Sequence, residues 1–111
     1  MPIEPLLSII IVSYNTSEIT LNCLKSIFKD KGLSFNLNKI ENSAKIPTEI
    51  IVVDNNSADD SLRQLKNLIS NKLLTIKLIT NSTNLGFARA NNQGIKKARG
   101  NYLLLLNSDT L

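Results

Sequence analysis

The sequence predicts an α/β fold in which a parallel sheet carries helices on both faces, giving three layers. Two observations support this prediction. Apolar runs of strand length alternate with segments of helical spacing, in the order strand, helix, strand, helix, strand, helix, strand. Each of the four apolar runs also stops at a cluster of Asn, Asp or Ser residues. Because ligands bind beyond the carboxyl ends of parallel strands, these clusters indicate where a binding site would lie.

The strands and helices follow from the spacing of the apolar residues. The first two strands are nearly continuous apolar runs, typical of strands buried on both faces, whereas the third alternates apolar and polar residues and is predicted at a sheet edge. The last strand is rich in leucine, which predicts cover on both of its faces. In chain order, the predicted elements are strand 6–12, helix 18–30, strand 50–53, helix 57–70, strand 74–79, helix 87–99 and strand 102–106.

Right-handed crossovers between these elements predict the strand order 3-2-1-4. The first and fourth strands are then neighbours, and the chain reverses direction between them, so the expected ligand crevice lies above their ends. Residues 31–48 exceed the about 2–6 residues usual between a helix and a strand. We predict a surface loop there, with a short strand or hairpin arm as the alternative.

The third helix has an unusual inward face, made of small and polar residues where the second helix carries leucines. Such a face predicts close packing against a ligand or against backbone. Gly100 follows this helix and is predicted to be its C-cap. The residues of the face are Ala88, Ala90, Asn91, Asn92 and Gly94.

Composition narrows the class of protein. The 111 residues suit one domain, and a content of 42% hydrophobic and 20% charged residues is typical of a globular protein. No apolar stretch approaches the roughly 20 residues that cross a bilayer, and the first residues lack the basic segment of a signal peptide. We therefore expect a cytoplasmic protein, with peripheral association at the inner face of the membrane as a further expectation.

Charge and residue usage exclude several kinds of site. The net charge of +4 comes from scattered basic residues, and the chain has two Tyr, three Phe and no Trp, so nucleic acid is not an expected partner. The charge favours a mild attraction for anionic substrates or lipid headgroups. The chain has no histidine, so any metal would be held by oxygen. The single cysteine, Cys23, is predicted to be a buried apolar side chain.

Several strand-end residues could bind a ligand, each with a simpler alternative. Asn107 and Asp109 point the same way in an extended chain and could offer two oxygen ligands to Mg²⁺ or Mn²⁺, or could form an Asx-turn. Asp54 could accept hydrogen bonds from a base imide or ribose hydroxyls, or could cap the next helix with Ser57. Arg89 could reach a diphosphate or a base, or could simply be solvent-exposed.

Four segments, residues 8–15, 50–57, 84–94 and 105–109, together resemble glycosyltransferase family 2, in the family's order and over nearly the whole chain. The resemblance implies a GT-A fold that binds a nucleotide-diphospho-sugar, an inverting sugar transfer, and a divalent metal, Mg²⁺ or Mn²⁺, on the donor diphosphate. It also implies roles for individual residues. The residues implied to line the nucleoside pocket are Ser13, Tyr14 and Asn15, with Asp54 contacting the base or ribose. Asn84 and Arg89 are implied to lie on the nucleotide side of the cleft. Asp109 is implied to bind the metal, with Asn107 in place of the first Asp of the metal-binding element.

Two departures from the family pattern refine this interpretation. Asn107 stands where the D-x-D element has its first Asp, a variant similar to the branch that includes rhamnosyl- and galactofuranosyl-transferases. That branch implies transfer of a hexosyl or deoxyhexosyl group from a UDP- or dTDP-sugar to a glycan or lipid-linked acceptor, in cell-wall or polysaccharide biosynthesis. The segment 31–48 is the other departure, because the family usually spans it in fewer residues.

The family's acceptor-activating carboxylate follows the D-x-D element, and this sequence stops two residues beyond Asp109. We therefore expect residues 1–111 to be the N-terminal donor-binding part of a glycosyltransferase domain, without a catalytic base and inactive alone. The last strand would then be an exposed, leucine-rich edge that pairs with another copy, and we expect homodimers or aggregates.

Two other functions remain open from the sequence alone. One is a non-catalytic nucleotide-binding or interaction module that uses the same pocket. The other is a flavodoxin-like receiver domain with Asp54 as the phosphorylated carboxylate, although residues 13–15 lack the acidic pair that such a domain needs.

Overall fold

The chain forms a parallel sheet with helices on its two faces, as a computed structural model shows for residues 4–14, 17–35, 45–56, 63–64, 66–67 and 76–107. Within the predicted second helix, the described residues 63–64 and 66–67 are helical, and the remainder lies outside the described ranges. The strands are β1 (Leu7–Ser13), β2 (Leu33–Ser34), β3 (Ile46–Asp54), β4 (Ile76–Thr80) and β5 (Tyr102–Asn107), and the helices are α1 (Ser17–Phe28) and α2 (Phe87–Lys97).

All pairings between the described strands are parallel. β1 lies between β3 and β5, and β4 pairs with the second half of β3. This arrangement confirms the predicted order 3-2-1-4, read as β4-β3-β1-β5. From β1 the chain adds β3 and β4 on one side and β5 on the other, so the topological switch point lies between β1 and β5, where the ligand crevice was expected.

The prediction of a surface loop over 31–48 is wrong at both ends of that segment. The short strand β2 pairs with the start of β3, with Leu33 opposite Ile46, and the Ile46 amide donates to the Gly32 carbonyl at 2.8 Å. β3 therefore begins four residues before the predicted start at Ile50. Ile46 is followed by Pro47, Thr48 and Glu49 before the apolar run begins at Ile50, so the apolar pattern did not reveal this part of the strand. Residues 36–44 of the predicted loop lie outside the described ranges.

The two faces of the sheet bury separate apolar clusters because side chains alternate along each strand. Ile9 and Ile11 face α1, where Leu24 and the buried Cys23 pack against them. Ile10 and Val12 face α2 on the opposite side. This confirms the three-layer arrangement. Burial also raises the pKa of the Cys23 thiol, as expected of an apolar packing position.

Helix α2 approaches the sheet closely through the small residues of its inward face. A methyl group on Gly94 would lie 2.5 Å from Cγ2 of Ile10, far inside normal contact, and Ala90 is fully buried. The predicted close packing is thus present, but Gly94 lies against the Ile10 side chain rather than against a ligand or backbone. Ala88 and Asn92, predicted on the same face, are instead exposed, because the helix turns them toward solvent.

Gly100 is not the C-cap of α2, contrary to prediction. The helix ends at Lys97, and Ala98 takes that position in an extended conformation. Gly100 instead passes close to β1: its amide donates to Ser8 Oγ at 2.8 Å, and a Cβ there would lie 2.8 Å from the Leu7 carbonyl carbon. A glycine is required at this position by the close approach of the two backbones.

A buried carboxylate joins several elements at the end of the sheet where the strands begin. Glu49 is 1% exposed and accepts hydrogen bonds from Ser8 Oγ and the Arg99 amide, both at 2.6 Å. Lys77 Nζ lies 3.1 Å from its other oxygen. Burial raises the pKa of Glu49, but the hydrogen bonds and the Lys77 charge together outweigh burial and hold this pKa below its ordinary value. These contacts hold the C-terminal end of α2 against β1 and β3.

The two outer strands differ in their exposure. β4 is half-buried, as predicted for an edge strand. Tyr102, Leu103, Leu104 and Leu105 of β5 are all exposed, and among the described residues no strand pairs with the outer side of β5. The leucine-rich strand is therefore an exposed edge here, without the cover that its composition predicts. No helix within the described ranges is long and apolar enough to span a membrane.

Candidate functional site

Four strands end at the same level on one edge of the sheet, which brings distant parts of the sequence together. Ser13 pairs with Asp54 across β1 and β3, and Asp54 pairs with Thr80 across β3 and β4. On the other side of β1, Val12 pairs with Asn107 at the end of β5. Three of the candidate site residues, Ser13, Asp54 and Asn107, thus lie along this carboxyl edge.

Ser13 and Asp54 form the floor of the edge. Both are buried, and the hydroxyl groups of Ser13 and Thr20 hydrogen-bond at 3.0 Å, which ties α1 to the end of β1. The Ser13 carbonyl accepts from the Asn55 amide at 2.8 Å, and the Asp54 carbonyl accepts from the Asn81 amide at 2.9 Å. Tyr14 directly follows Ser13 and is 46% exposed, so it offers a surface to a ligand.

A network of four amide side chains lies beside Asp54. Asn55 Nδ2 donates to Asn84 Oδ1 at 2.8 Å, while Asn55 Oδ1 accepts from the Leu85 amide at 2.9 Å and from Asn81 Nδ2 at 3.3 Å. Asn81 and Gln93 exchange two further hydrogen bonds at 2.8 and 2.9 Å. The network therefore links the ends of β3 and β4 to the loop before α2 and to α2 itself.

Sequence reasoning missed this network. Asn55 and Asn81 belong to strand-end clusters, but their partners lie 29 and 12 residues away in Asn84 and Gln93. Sequence spacing would have given one signal only: the four residues lie at the predicted carboxyl edge or on the helix that packs over it. Thr20, the partner of Ser13, was missed for the same reason.

The loop before α2 depends on one glycine. Gly86 has a φ of 86° and a ψ of 162°, a backbone conformation that is essentially confined to glycine. Its amide donates to Asn84 Oδ1 at 2.9 Å, and its carbonyl accepts the first helical hydrogen bond of α2, from Ala90, at 3.1 Å. This turn sets the direction in which α2 leaves the carboxyl edge.

Exposed side chains surround the start of α2. Asn84 and Arg89 are both exposed, and Phe87 is 56% exposed although sequence reasoning gave it no role. Arg89 lies in the first turn of α2, one residue before the buried Ala90. Its guanidinium is therefore carried on a helix whose other side is fixed against the sheet.

Two candidate residues lie outside the described residues: Asn15 of the nucleoside pocket and Asp109 of the metal site. For Asn107 only the strand position is described. Within the described ranges, no group of three or more His, Cys, Asp or Glu side chains lies close enough to hold a metal ion. The structure therefore places Asn107 at the edge and leaves the pairing of Asn107 with Asp109 as a prediction.

The chain resembles curated bacterial proteins over most of its length. It is 36% identical to an uncharacterized glycosyltransferase of Haemophilus influenzae over 109 residues, which cover 95% of this chain and 36% of that protein. It is 30% identical to the amylovoran biosynthesis glycosyltransferase AmsB of Erwinia amylovora, covering 92% of this chain and 30% of that protein. The chain thus spans about a third of the length of these relatives.

Solved structures and a family profile complete the comparison. A mannosyltransferase of Pyrobaculum calidifontis, in complex with GDP-Man and Mn²⁺, matches with a TM-score of 0.78 at 20% identity, over 100% of this chain and 30% of that one. TarS 1–349 of S. aureus, in complex with UDP-GlcNAc, matches with a TM-score of 0.72 at 25% identity, over 93% of this chain and 26% of that one. These neighbours confirm the expected GT-A fold class. Residues 8–111 match the family described as glycosyl transferase family 2, and the chain therefore belongs to that family.

Proposed function

We propose that this chain binds the nucleotide-diphospho-sugar donor of an inverting, metal-dependent glycosyltransferase. The observation that carries the proposal is the carboxyl edge, where β1, β3 and β5 end level beside the exposed start of α2. Family membership and the structural neighbours support it, since those neighbours were solved with GDP-Man or UDP-GlcNAc.

Each proposed contact matches the chemistry of a nucleotide. The carboxylate of Asp54 accepts hydrogen bonds, which suits the imide N–H of uracil or thymine or the hydroxyls of ribose. We assign Ser13, Tyr14 and Asn15 to the nucleoside pocket. Arg89 carries a permanent positive charge that suits the diphosphate.

The metal is proposed to bind through Asp109, with Asn107 beside it. A carboxylate and an amide oxygen are suitable ligands for Mg²⁺ or Mn²⁺, which usually keep waters and bind substrate phosphates as well. When bound, such a cation neutralises charge on the diphosphate leaving group. The residues of this chain would hold the nucleotide so that its diphosphate lies at the end of β5.

The proposed reaction of the whole protein is transfer of a hexosyl or deoxyhexosyl group from a UDP- or dTDP-sugar to a glycan or lipid-linked acceptor. Cell-wall or polysaccharide biosynthesis agrees with the relative that is named for amylovoran biosynthesis. We place the protein in the cytoplasm, with peripheral contact at the inner face of the membrane. Because the chain spans about a third of its relatives, we propose that transfer requires groups outside residues 1–111.

The outer edge of β5 is proposed to pair with a second copy of this chain. The Tyr102 amide donates to the Leu6 carbonyl, and amides alternate in direction along a strand, so those of Leu103 and Leu105 face outward. The strand carries no charge from Tyr102 to Leu106, so two copies can pair without like-charge repulsion. Antiparallel pairing about a two-fold axis gives each outward N–H a carbonyl partner.

Isothermal titration calorimetry with UDP, dTDP and GDP, each with Mg²⁺ or with EDTA, tests donor binding by the full chain. We expect binding of UDP or dTDP that weakens at least tenfold in EDTA and in Asp54→Asn. The matched control is Asp30→Asn, which removes the same charge from an exposed residue near the start of β3 and keeps the oxygen that accepts from Gly32. Absence of binding by all three nucleotides, or equal losses in both variants, would contradict the proposal.

A further inference from the structure

The amide group of Asn84 is held in one orientation by a backbone donor. The Gly86 amide approaches Asn84 Oδ1 at 2.9 Å, and a backbone N–H can only donate. The two ends of an Asn amide look alike in most structures and must be assigned from their partners. Here the partner is unambiguous, so the atom facing Gly86 is the oxygen and Nδ2 is on the other side.

Asn55 fixes the same orientation from a second direction. Its Oδ1 accepts from the Leu85 amide at 2.9 Å, again an unambiguous donor, so its Nδ2 faces Asn84 Oδ1 at 2.8 Å and the Gly86 carbonyl at 3.3 Å. If Asn84 turned over, two NH₂ groups would face each other and the Gly86 amide would lose its acceptor. Because Asn55 is 2% exposed, water cannot readily replace these bonds.

The rest of the network takes its direction from Asn55. Asn55 Oδ1, identified by the Leu85 amide, accepts from Asn81 Nδ2 at 3.3 Å, which fixes the orientation of Asn81, and the reciprocal pair then fixes that of Gln93. Two backbone amides therefore determine the direction of every hydrogen bond from Gln93 to Asn84. Asn55 and Asn81 directly follow β3 and β4, so the network is anchored to the ends of these two strands.

We propose that Asn84 is a specificity-determining residue that presents its Nδ2 group, as a hydrogen-bond donor, to an acceptor oxygen of the nucleotide, and that Asn55 is the residue that positions it. The inference rests on the proposed function, which places the nucleotide at this edge. Asn84 is exposed, and among the described residues no group accepts from its Nδ2. The acceptor oxygen belongs either to a base carbonyl or to the diphosphate, and the two sources share this chemistry.

Replacing Asn84 with aspartate separates the direction of the hydrogen bond from the fold. One carboxylate oxygen of Asn84→Asp still accepts from Asn55 and Gly86, while the outward atom changes from a donor to an acceptor. We expect unchanged thermal stability and at least a tenfold weaker affinity for UDP. Uridine, which has no phosphate, tells the sources apart: its affinity falls too if the partner is a base carbonyl, and stays the same if the partner is the diphosphate. UDP affinity equal to that of the wild type would overturn the proposal.

Replacing Asn55 with aspartate tests its positioning role. An ionised carboxylate at this position cannot donate to Asn84 Oδ1, so we expect Asn84 to turn over and UDP affinity to fall. Protonation restores one donor, so the affinity of Asn55→Asp should rise again as the pH is lowered through the pKa of the introduced carboxyl. A merely structural loss would instead lower the number of binding sites in proportion to the unfolded fraction, without changing the affinity of the sites that remain. A loss of affinity that is independent of pH would therefore count against positioning by Asn55.

A measurement without nucleotide keeps this inference separate from the proposed function. In side-chain amide ¹H–¹⁵N spectra of the full chain, we expect the Asn55 NH₂ protons to be protected from exchange with water and the Asn84 NH₂ protons to exchange freely. Protected Asn84 protons would overturn the assigned orientation even if UDP binds. Failure of the wild type to bind any nucleotide, with this exchange pattern intact, would refute the proposed function and with it the ligand assigned to Asn84.

Discussion

Replacing Gly94 with alanine tests how closely α2 lies on the sheet. The new methyl carbon would lie 2.5 Å from Ile10 Cγ2, about 1 Å inside an ordinary carbon–carbon contact of ~3.5–4.0 Å. Ile10 is fully buried, and packed interiors leave few voids into which its side chain could move. Overpacking of this kind costs about 1–3 kcal/mol, and so close a contact belongs at the upper end. The higher helix propensity of alanine returns about 1 kcal/mol.

We therefore expect Gly94→Ala to lower the free energy of unfolding by about 2 kcal/mol, and the Tm by about 10 °C. Urea unfolding and thermal unfolding of the full chain, both followed by circular dichroism, measure these two quantities. Unchanged or increased stability would refute the close approach of α2 to β1.

A double-mutant cycle with Ile10→Ala assigns the cost to this contact. Ile10→Ala removes the atoms that the new methyl group meets, so in that background Gly94→Ala should be neutral or stabilising, with a coupling energy of about 2 kcal/mol. Ala88→Gly, on the exposed face of the same helix, is the matched control for helix propensity and should cost about 1 kcal/mol. Additive effects of the Ile10 and Gly94 changes would contradict the explanation.

Three further predictions concern other parts of the fold. Glu49→Gln should lower the free energy of unfolding by about 1–3 kcal/mol at neutral pH. The pKa of Glu49 in the folded chain is below its ordinary value of 4.5, so the stability that its carboxylate contributes is present above that value and is lost as the pH falls through the folded pKa. The stabilities of wild type and variant should therefore converge in acid, and a difference that stays constant with pH would contradict the direction of the pKa shift. Gly86→Ala meets no atom within 4 Å, but the φ of 86° and ψ of 162° at this position are essentially confined to glycine, so the change should cost about 1–3 kcal/mol in a urea titration; an unchanged stability would argue against this backbone conformation. Leu103→Pro removes an outward N–H of β5 and should convert dimers to folded monomers by sedimentation, whereas Leu104→Pro removes an N–H that faces β1 and should unfold the chain; a wild-type monomer at high concentration would sink the proposed β5 pairing.

The order of the strands was predictable because it depends on short-range patterns. Apolar runs and helical spacing identify the elements, and right-handed crossovers then leave few ways to arrange them. The close approach of α2 was predictable for a similar reason, since Ala90 and Gly94 leave no side chain to separate helix from sheet.

Features that depend on contacts between distant residues were not predictable. Glu49 lies in a stretch that is polar enough to suggest a loop, yet it is buried because Ser8 and Arg99, which are 41 and 50 residues away, both donate to it. Gly100 looked like a helix C-cap, but its close approach to β1 depends on where the sheet places Leu7. No local pattern contains either partner.

The candidate site divides in the same way. The residues that end strands, such as Ser13 and Asp54, could be placed at one edge because parallel strands bring their carboxyl ends together. The direction of the amide network could not, because it is set by the backbone amides of Leu85 and Gly86. Sequence identifies which side chains meet at the edge, and the loop geometry determines which atom each of them presents.

An amide-resolved NMR titration of the full chain with UDP and with dTDP, each in Mg²⁺, tests most directly whether the carboxyl edge binds the donor nucleotide. We predict chemical-shift changes concentrated at Tyr14, Asp54, Asn84 and Arg89, with much smaller changes at Glu49 and Gly100 on the opposite end of the sheet. Shifts centred on that opposite end, or a well-dispersed spectrum that neither nucleotide alters, would contradict the assignment of the carboxyl edge as a donor site.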